Sequence, residues 1–345
     1  MHMSSRVILG LLIGGSLLAG ANARGAPGGY TVTMLALPGA GPAGISMDFI
    51  AFDPATRFLW VPAGNTGAVD VVDTATKHVR QVSGFATAEM GTGDHKRVVG
   101  PSAVSPGHGT VYIGSRGDLT VCALNARTLE RGTCHRLDSM PDGVAYVAAT
   151  NEVWVTTPRD KSIRILDAAT LDEKAKLTFD GNPEGFAVDA KRARFYTNME
   201  DEDLTLAVDL KSRKTIATWQ PACGKDGPHG LRIDEKAGHL FVACSARAEV
   251  LDAAHDGAVL SSIDTGDGVD DIDYSPATHL LYVGAAKAGQ LTIARDDAHG
   301  TLSLVATVPT HTGARNPAVT PDGTVYLAHS GLGSLSDLVV VSVKK

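Results

Sequence analysis

The chain has 345 residues, 20% of them charged, and a formal net charge of −7. An acidic balance excludes the nucleic-acid binders, which need basic surface to displace phosphate counterions. No polybasic cluster marks a membrane-surface patch either.

Met1 to Arg6 is a short basic segment, Val7 to Gly20 is uncharged, and Ala21-Asn22-Ala23 is a small-residue triplet. That order is a secretory signal and predicts cleavage after Ala23. The uncharged run is about 14 residues, short of the roughly 20 that span a bilayer; an uncleaved anchor is the alternative. No cysteine stands directly after the run to carry a lipid, and no later stretch is apolar enough to cross a membrane. The expected mature protein, residues 24–345, is one domain, periplasmic or secreted, with no membrane insertion after signal cleavage. Its four cysteines then favour disulfides over free thiols.

Beyond the signal the chain is a repeat. Leu59-Trp60-Val61, Val111-Tyr112-Ile113, Val153-Trp154-Val155, Phe195-Tyr196-Thr197, Leu240-Phe241-Val242, Leu281-Tyr282-Val283 and Val325-Tyr326-Leu327 share one register. Each carries one aromatic, at steps of 41 to 52 residues, and these seven are drawn from only eighteen in the chain. Before each lies an alternating strand closed by a turn, as in Phe49-Ile50-Ala51-Phe52 before Asp53-Pro54-Ala55-Thr56. After each comes another strand, as in Ile163 to Asp167, and then an outer one, as in Lys174 to Phe179. Four short strands per unit of this length make a propeller blade. No stretch has the helical period a solenoid of helices requires. The fold expected is all-β: a seven-bladed β-propeller of four-stranded antiparallel blades. The last unit lacks its outer strand, and Tyr30 to Leu37 is left over at the other end. Pairing the two closes the ring and covers a sheet edge. The seven aromatics are expected between blades, as core.

Counting back five residues from each closing turn residue gives Asp48, Gly100, Asp142, Glu184, His229, Asp270 and Arg315. Innermost propeller strands begin at the central channel, so these residues are expected to form a ring around its mouth. A wet mouth lined by solvated carboxylates with no function is the competing reading. The sharper one is a ligand or divalent cation gripped by Asp142, Glu184, His229 and Asp270. Calcium wants several oxygens converging from different strands, whereas zinc sites use more His or Cys than the single ring histidine. Arg315 is expected to neutralise Asp48 and Asp270, or to clamp an anionic ligand. His95, in the long loop Thr87 to Val98, and the acidic turn Glu200-Asp201-Glu202 lie on the same face and are expected to be solvated. No G-x-S-x-G, P-loop, C-x-x-C or C-x-x-C-H occurs to mark a nucleophile, nucleotide, redox centre or haem. Cys122 and Cys134 fall on the third and fourth strands of one blade, in hairpin register. Cys223 precedes the fifth blade and Cys244 ends its second strand, so a bond between them would brace the loop carrying His229.

Pro183-Glu184-Gly185, Gly227-Pro228-His229-Gly230-Leu231, Leu240 to Cys244, Val250-Leu251-Asp252-Ala253, Gly268-Val269-Asp270 and Thr312-Gly313-Ala314-Arg315 resemble the YncE-like, or YVTN-type, propellers. Those are exported bacterial seven-bladed proteins, and the likeness runs over the whole mature chain, most closely in blades four to seven. A cysteine pair placed like Cys223 and Cys244 occurs in a branch of that group. The first two blades depart from the pattern, with Gly100 where a polar ring residue is expected. The resemblance implies the fold and little about activity, beyond a distant likeness to gluconolactonase-like propellers that hold calcium at the channel mouth. In such a site Glu184 and Asp270 would hold the metal, although ring asparagines are missing. The expected function is a binding or interaction module whose mouth takes a small ligand, a cation or an envelope protein. A cation-dependent hydrolase or lactonase, with His229 or Asp142 as base, is the alternative; a purely structural partner is a third. A monomer is expected.

Overall fold

The computed structural model describes residues 29–41, 44–93, 96–225, 227–330 and 337–344. The signal segment and His95 lie outside these residues. The described chain forms seven four-stranded antiparallel sheets and one short hairpin. Six sheets are each built from four consecutive strands. The seventh takes Ala314–Val319, Val325–His329 and Asp337–Val343 from the C-terminal end and Tyr30–Ala36 from the N-terminal end. Tyr30 stands opposite Val343 and Ala36 opposite Asp337, an unbroken antiparallel register that closes the ring as the leftover strand predicts.

Each repeated aromatic is buried: Trp60, Tyr112, Trp154, Tyr196, Phe241, Tyr282 and Tyr326 are all at most 4% exposed. Each also belongs to a cluster that joins its blade to the next one. Trp154 of the third blade packs with Phe195 and Val208 of the fourth. Phe241 of the fifth packs with Leu281 and Val283 of the sixth. Tyr326 of the last packs with Leu59 and Val61 of the first. Such side chains bury a large apolar area, and truncating one costs about 3–5 kcal/mol. The repeat therefore encodes the contact between blades.

The turns are set by Asp and Asn, whose short side chains reach the backbone just beyond them. Asp53, Asp189 and Asp234 each close a first strand and accept backbone N–H bonds from two or three residues on, at 2.9–3.0 Å. Asp73, Asn125, Asp167 and Asp209 do the same after the third strand. There the residue four positions later, Lys77, Leu129, Leu171 or Arg213, has a φ of 57 to 65° and returns its N–H to the Asp or Asn carbonyl. The side-chain cap offsets the cost of that left-handed backbone in a non-glycine residue.

The connection between the first two blades differs from expectation. Ala88–Met90 and Arg97–Val99 pair as a hairpin where the sequence suggested a plain loop. The two cysteine pairs, Cys122–Cys134 and Cys223–Cys244, are both bonded. No helix among the described residues is long and apolar enough to cross a membrane.

Candidate functional site

The first strands of adjacent blades approach closely because the residue after the ring position is glycine in three successive blades: Gly143, Gly185 and Gly230. A side chain on Gly185 would stand 2.0 Å from the His229 carbonyl, and one on Gly230 would stand 2.1 Å from an Asp271 oxygen. These glycines bring the polar residues beside them into one mouth. Two groups form there.

The first group is centred on Arg116, which the ring count missed. Its guanidinium donates to Asp48 at 2.7 Å and also to Asp142. Asp48 accepts further from the Asn316 amide, at 3.2 Å. Arg116 ends the second strand of the blade whose own ring position is Gly100, and its N–H bonds the Gly100 carbonyl at 2.7 Å. A side chain on Gly100 would stand 2.2 Å from the Gly64 carbonyl, so this blade's polar group comes from Arg116 instead. Burial pushes the Asp142 carboxyl up to about 6 despite Arg116, because Asp48 and Asp270 add like charge. The expectation that Arg315 neutralises Asp48 is therefore corrected: Arg116 has that part, and Arg315 pairs with Asp270 alone of the two, at 2.6 Å.

The second group is Glu184, His229 and Asp270, from the fourth, fifth and sixth blades. Each offers a ligand atom, and those atoms lie within 4.8 Å of one another. His229 Nδ1 is 3.5 Å from Glu184 Oε2 and 3.7 Å from Glu200 Oε1. Neither contact has hydrogen-bond geometry, so Glu184 Oε2 and His229 Nδ1 are buried polar atoms that meet through an ion-pair contact alone. The ring is turned this way by Ser245, whose Oγ is 3.2 Å from Nε2. Asn198 holds the His229 carbonyl from the neighbouring blade. Burial pushes Glu184 up to about 8, with Glu200, Asp270 and Asp142 adding to the shift against a partial offset from His229. Burial opposes charge on His229 as well, but Glu184, Asp270 and Glu200 outweigh it and raise its pKa. This group is short of positive charge.

Beneath the mouth, Arg232 binds Asp271 at 3.0 Å and Asp273 at 3.1 Å. Asp271 also gives its N–H to Asn316 Oδ1 at 3.0 Å, which links the sixth blade to the seventh. The Cys223–Cys244 bond ties the loop before His229 to the strand end before Ser245. Asp203 holds the same loop through the Cys223 and Gly224 N–H groups, at 3.0 and 2.9 Å.

Arg116, Glu200 and Ser245 occupy one repeat position, four residues after the blade aromatics Tyr112, Tyr196 and Phe241. That constant offset is the signal by which the sequence marks a second circle of residues at the mouth. Of the acidic turn, Glu200 faces His229, while Asp201 pairs with Lys161 at 3.6 Å. Asp142 itself is paired with Arg116 and reaches the second group as like charge on Glu184.

No protein-family model and no curated protein matches the sequence. Solved structures do match in shape. A chain of a mitotic checkpoint complex superposes with a TM-score of 0.73 at 14% identity, covering 99% of this chain and 100% of that one. A streptogramin B lyase gives 0.70 at 12%, covering 92% and 98%. The WD40 repeats of RRP9 give 0.72 at 11%, covering 91% and 97%. The chain is a β-propeller. At such identities the likeness establishes the fold and carries no activity with it.

Proposed function

We propose that this protein is an exported, YncE-like binding module that holds a divalent cation at its channel mouth through Glu184, His229 and Asp270. The observation that carries this reading is the convergence of ligand atoms from Glu184, His229 and Asp270, with Glu184 Oε2 and His229 Nδ1 buried and without a hydrogen bond. Leaving buried polar atoms unsatisfied is costly, and a cation would satisfy both. Ser245 on Nε2 is the outer contact that orients a metal-binding imidazole. One imidazole with two carboxylates suits manganese or zinc better than calcium, whose sites are built from oxygen. Three protein ligands leave positions open for a small molecule.

The test is elemental analysis of protein purified from periplasm without chelators. One metal per chain is expected in the wild type and none in Glu184→Gln, with both proteins folded. A metal-free wild type, or full metal content in the variant, overturns the reading. Export is checked on the same sample, since its intact mass should correspond to a chain beginning at Arg24.

A second reading, hydrolysis of an ester or lactone, is favoured by Glu200, whose side chain is 45% exposed beside His229. In it the cation supplies Lewis acidity and Glu200 is placed to accept a proton from water. Glu200→Gln should then abolish turnover of lactones while metal content stays unchanged. Wild-type protein with full metal and no turnover on a lactone and ester panel excludes it.

A further inference from the structure

The first strand of each blade runs from the mouth to its closing turn, so the later residues of these strands surround the channel at the opposite face. Two cavities of about 430 and 260 Å³ adjoin there, sharing Ile50, Ala51 and Arg232. The larger is bordered by the turn residues Pro54, Pro276 and Pro321, and is within the size range of small-molecule sites. Half-buried phenylalanines face both: Phe52 the larger, and Phe49 and Phe186, with ring centroids 6.0 Å apart, the smaller. Among the described residues, the only charged side chains lining either cavity are Arg232, Asp271 and Asp273.

Arg232 serves both carboxylates, through Nη2 to Asp271 and Nε to Asp273. Asp270, one residue nearer the mouth, has Arg315 for its own counter-charge. One guanidinium between two carboxylates leaves a negative charge in the channel. Burial pushes Asp271 up to about 6 in spite of Arg232, with Asp270 and Asp273 adding like charge. Asp273 is the more accessible of the two, its side chain 20% exposed against 6%. One of its oxygens accepts from Arg232 and the Tyr274 N–H, and the other from the Val319 N–H at 2.8 Å. A carboxylate has about four acceptor sites, so Asp273 keeps one for a donor in the cavity. A metal ion would exchange water for apolar walls there, at a high desolvation cost. An organic ammonium brings an N–H donor and covers the walls with its own carbon. A quaternary ammonium has no N–H to give.

We propose that the face opposite the mouth carries a second binding site, for a small primary amine with an apolar body, its ammonium on Asp273 and its body against Ile50, Phe52 and Pro321. The site is independent of the cation reading above.

The test is isothermal titration of the full mature protein at pH 7 with phenethylamine and with 2-phenylethanol, its neutral counterpart. The amine should bind at least about tenfold more tightly than the alcohol. Asp273→Asn keeps the shape and an acceptor oxygen but removes the charge, and should weaken the amine about tenfold. Ala277→Trp fills the cavity from an exposed turn position, and should abolish binding while melting temperature holds. Where Asp273→Asn melts lower than the wild type, Ala277→Trp alone is the criterion. Glu184→Gln separates this site from the mouth, and an unchanged amine affinity is expected there. Equal binding of the two ligands, binding of neither, or an amine affinity indifferent to either cavity substitution overturns the site. So does loss of the amine in Glu184→Gln, which would place it at the acidic mouth instead.

Discussion

The two sides of the channel mouth carry the same kind of charge and resolve it differently. On the side of the first three blades, Asp48 and Asp142 share Arg116, so each carboxylate has a charged hydrogen-bond donor within the chain. On the side of blades four to six, Glu184 and His229 face each other through buried atoms that make no hydrogen bond, and among the described residues Arg315 forms an ion pair with Asp270 alone. One side reads as structure and the other as a site. A carboxylate already hydrogen-bonded to an arginine gains less from a bound cation than a buried carboxyl that no arginine or lysine reaches. The difference separates ring residues that look alike in the sequence.

This contrast predicts opposite outcomes for substitutions on the two sides. Arg116→Ala should have the largest effect, destabilising the fold by about 3–5 kcal/mol in denaturant unfolding, because two buried carboxylates lose their counter-charge. A loss under about 1 kcal/mol would show that Arg116 is solvated and that the two sides do not differ. Replacing Cys223 and Cys244 together by alanine should cost about 3 kcal/mol, as expected for a loop of this size. It should also weaken cation binding, since the bond ties the loop before His229 to the strand before Ser245; unchanged affinity would separate the disulfide from the site.

Asp70 provides a control outside the mouth. It is buried, with Gln81 on one oxygen at 2.9 Å and no partner on the other. Burial raises it from 3.8 to about 6, with Gln81 partly opposing. The folded state therefore holds its proton more tightly than the unfolded chain. Its favourable contribution is present below about pH 4 and is lost as pH rises through about 6. Asp70→Asn should stabilise the protein at pH 7 by about 1–3 kcal/mol, and the gain should vanish near pH 4. Equal gains at both pH values would refute the assignment. The smallest effect belongs to Glu184→Gln, which should change metal-free stability at pH 7 by about 1 kcal/mol or less, and upward if at all. A large loss there would mean that Glu184 is held by the protein and not kept for a ligand.

Much of this architecture is legible from the residues. The register of seven aromatics marks the contacts between blades, and the leftover strand at Tyr30 marks the closure. Both hold because apolar period and sheet pairing are local patterns repeated along the chain. The ring positions can also be counted out, since each lies a fixed distance from a turn set by Asp53, Asp189 or Asp234. The partners within the ring cannot. Arg116 comes from the end of a different strand, and its partners Asp48 and Asp142 lie in other blades. Glu200 meets His229 from the preceding blade, and Ser245 meets it from the end of the next strand of its own blade.

By itself, then, the sequence determined the repeat, its seven-fold count, the strand that closes it and the face on which polar residues gather. Each of these depends on spacing along the chain. Only the tertiary structure decided which carboxylates are neutralised, by which arginine, and which are left facing a histidine. Charge pairing acts over a few ångströms through space, and neighbours at that distance are 26 to 68 residues apart in sequence.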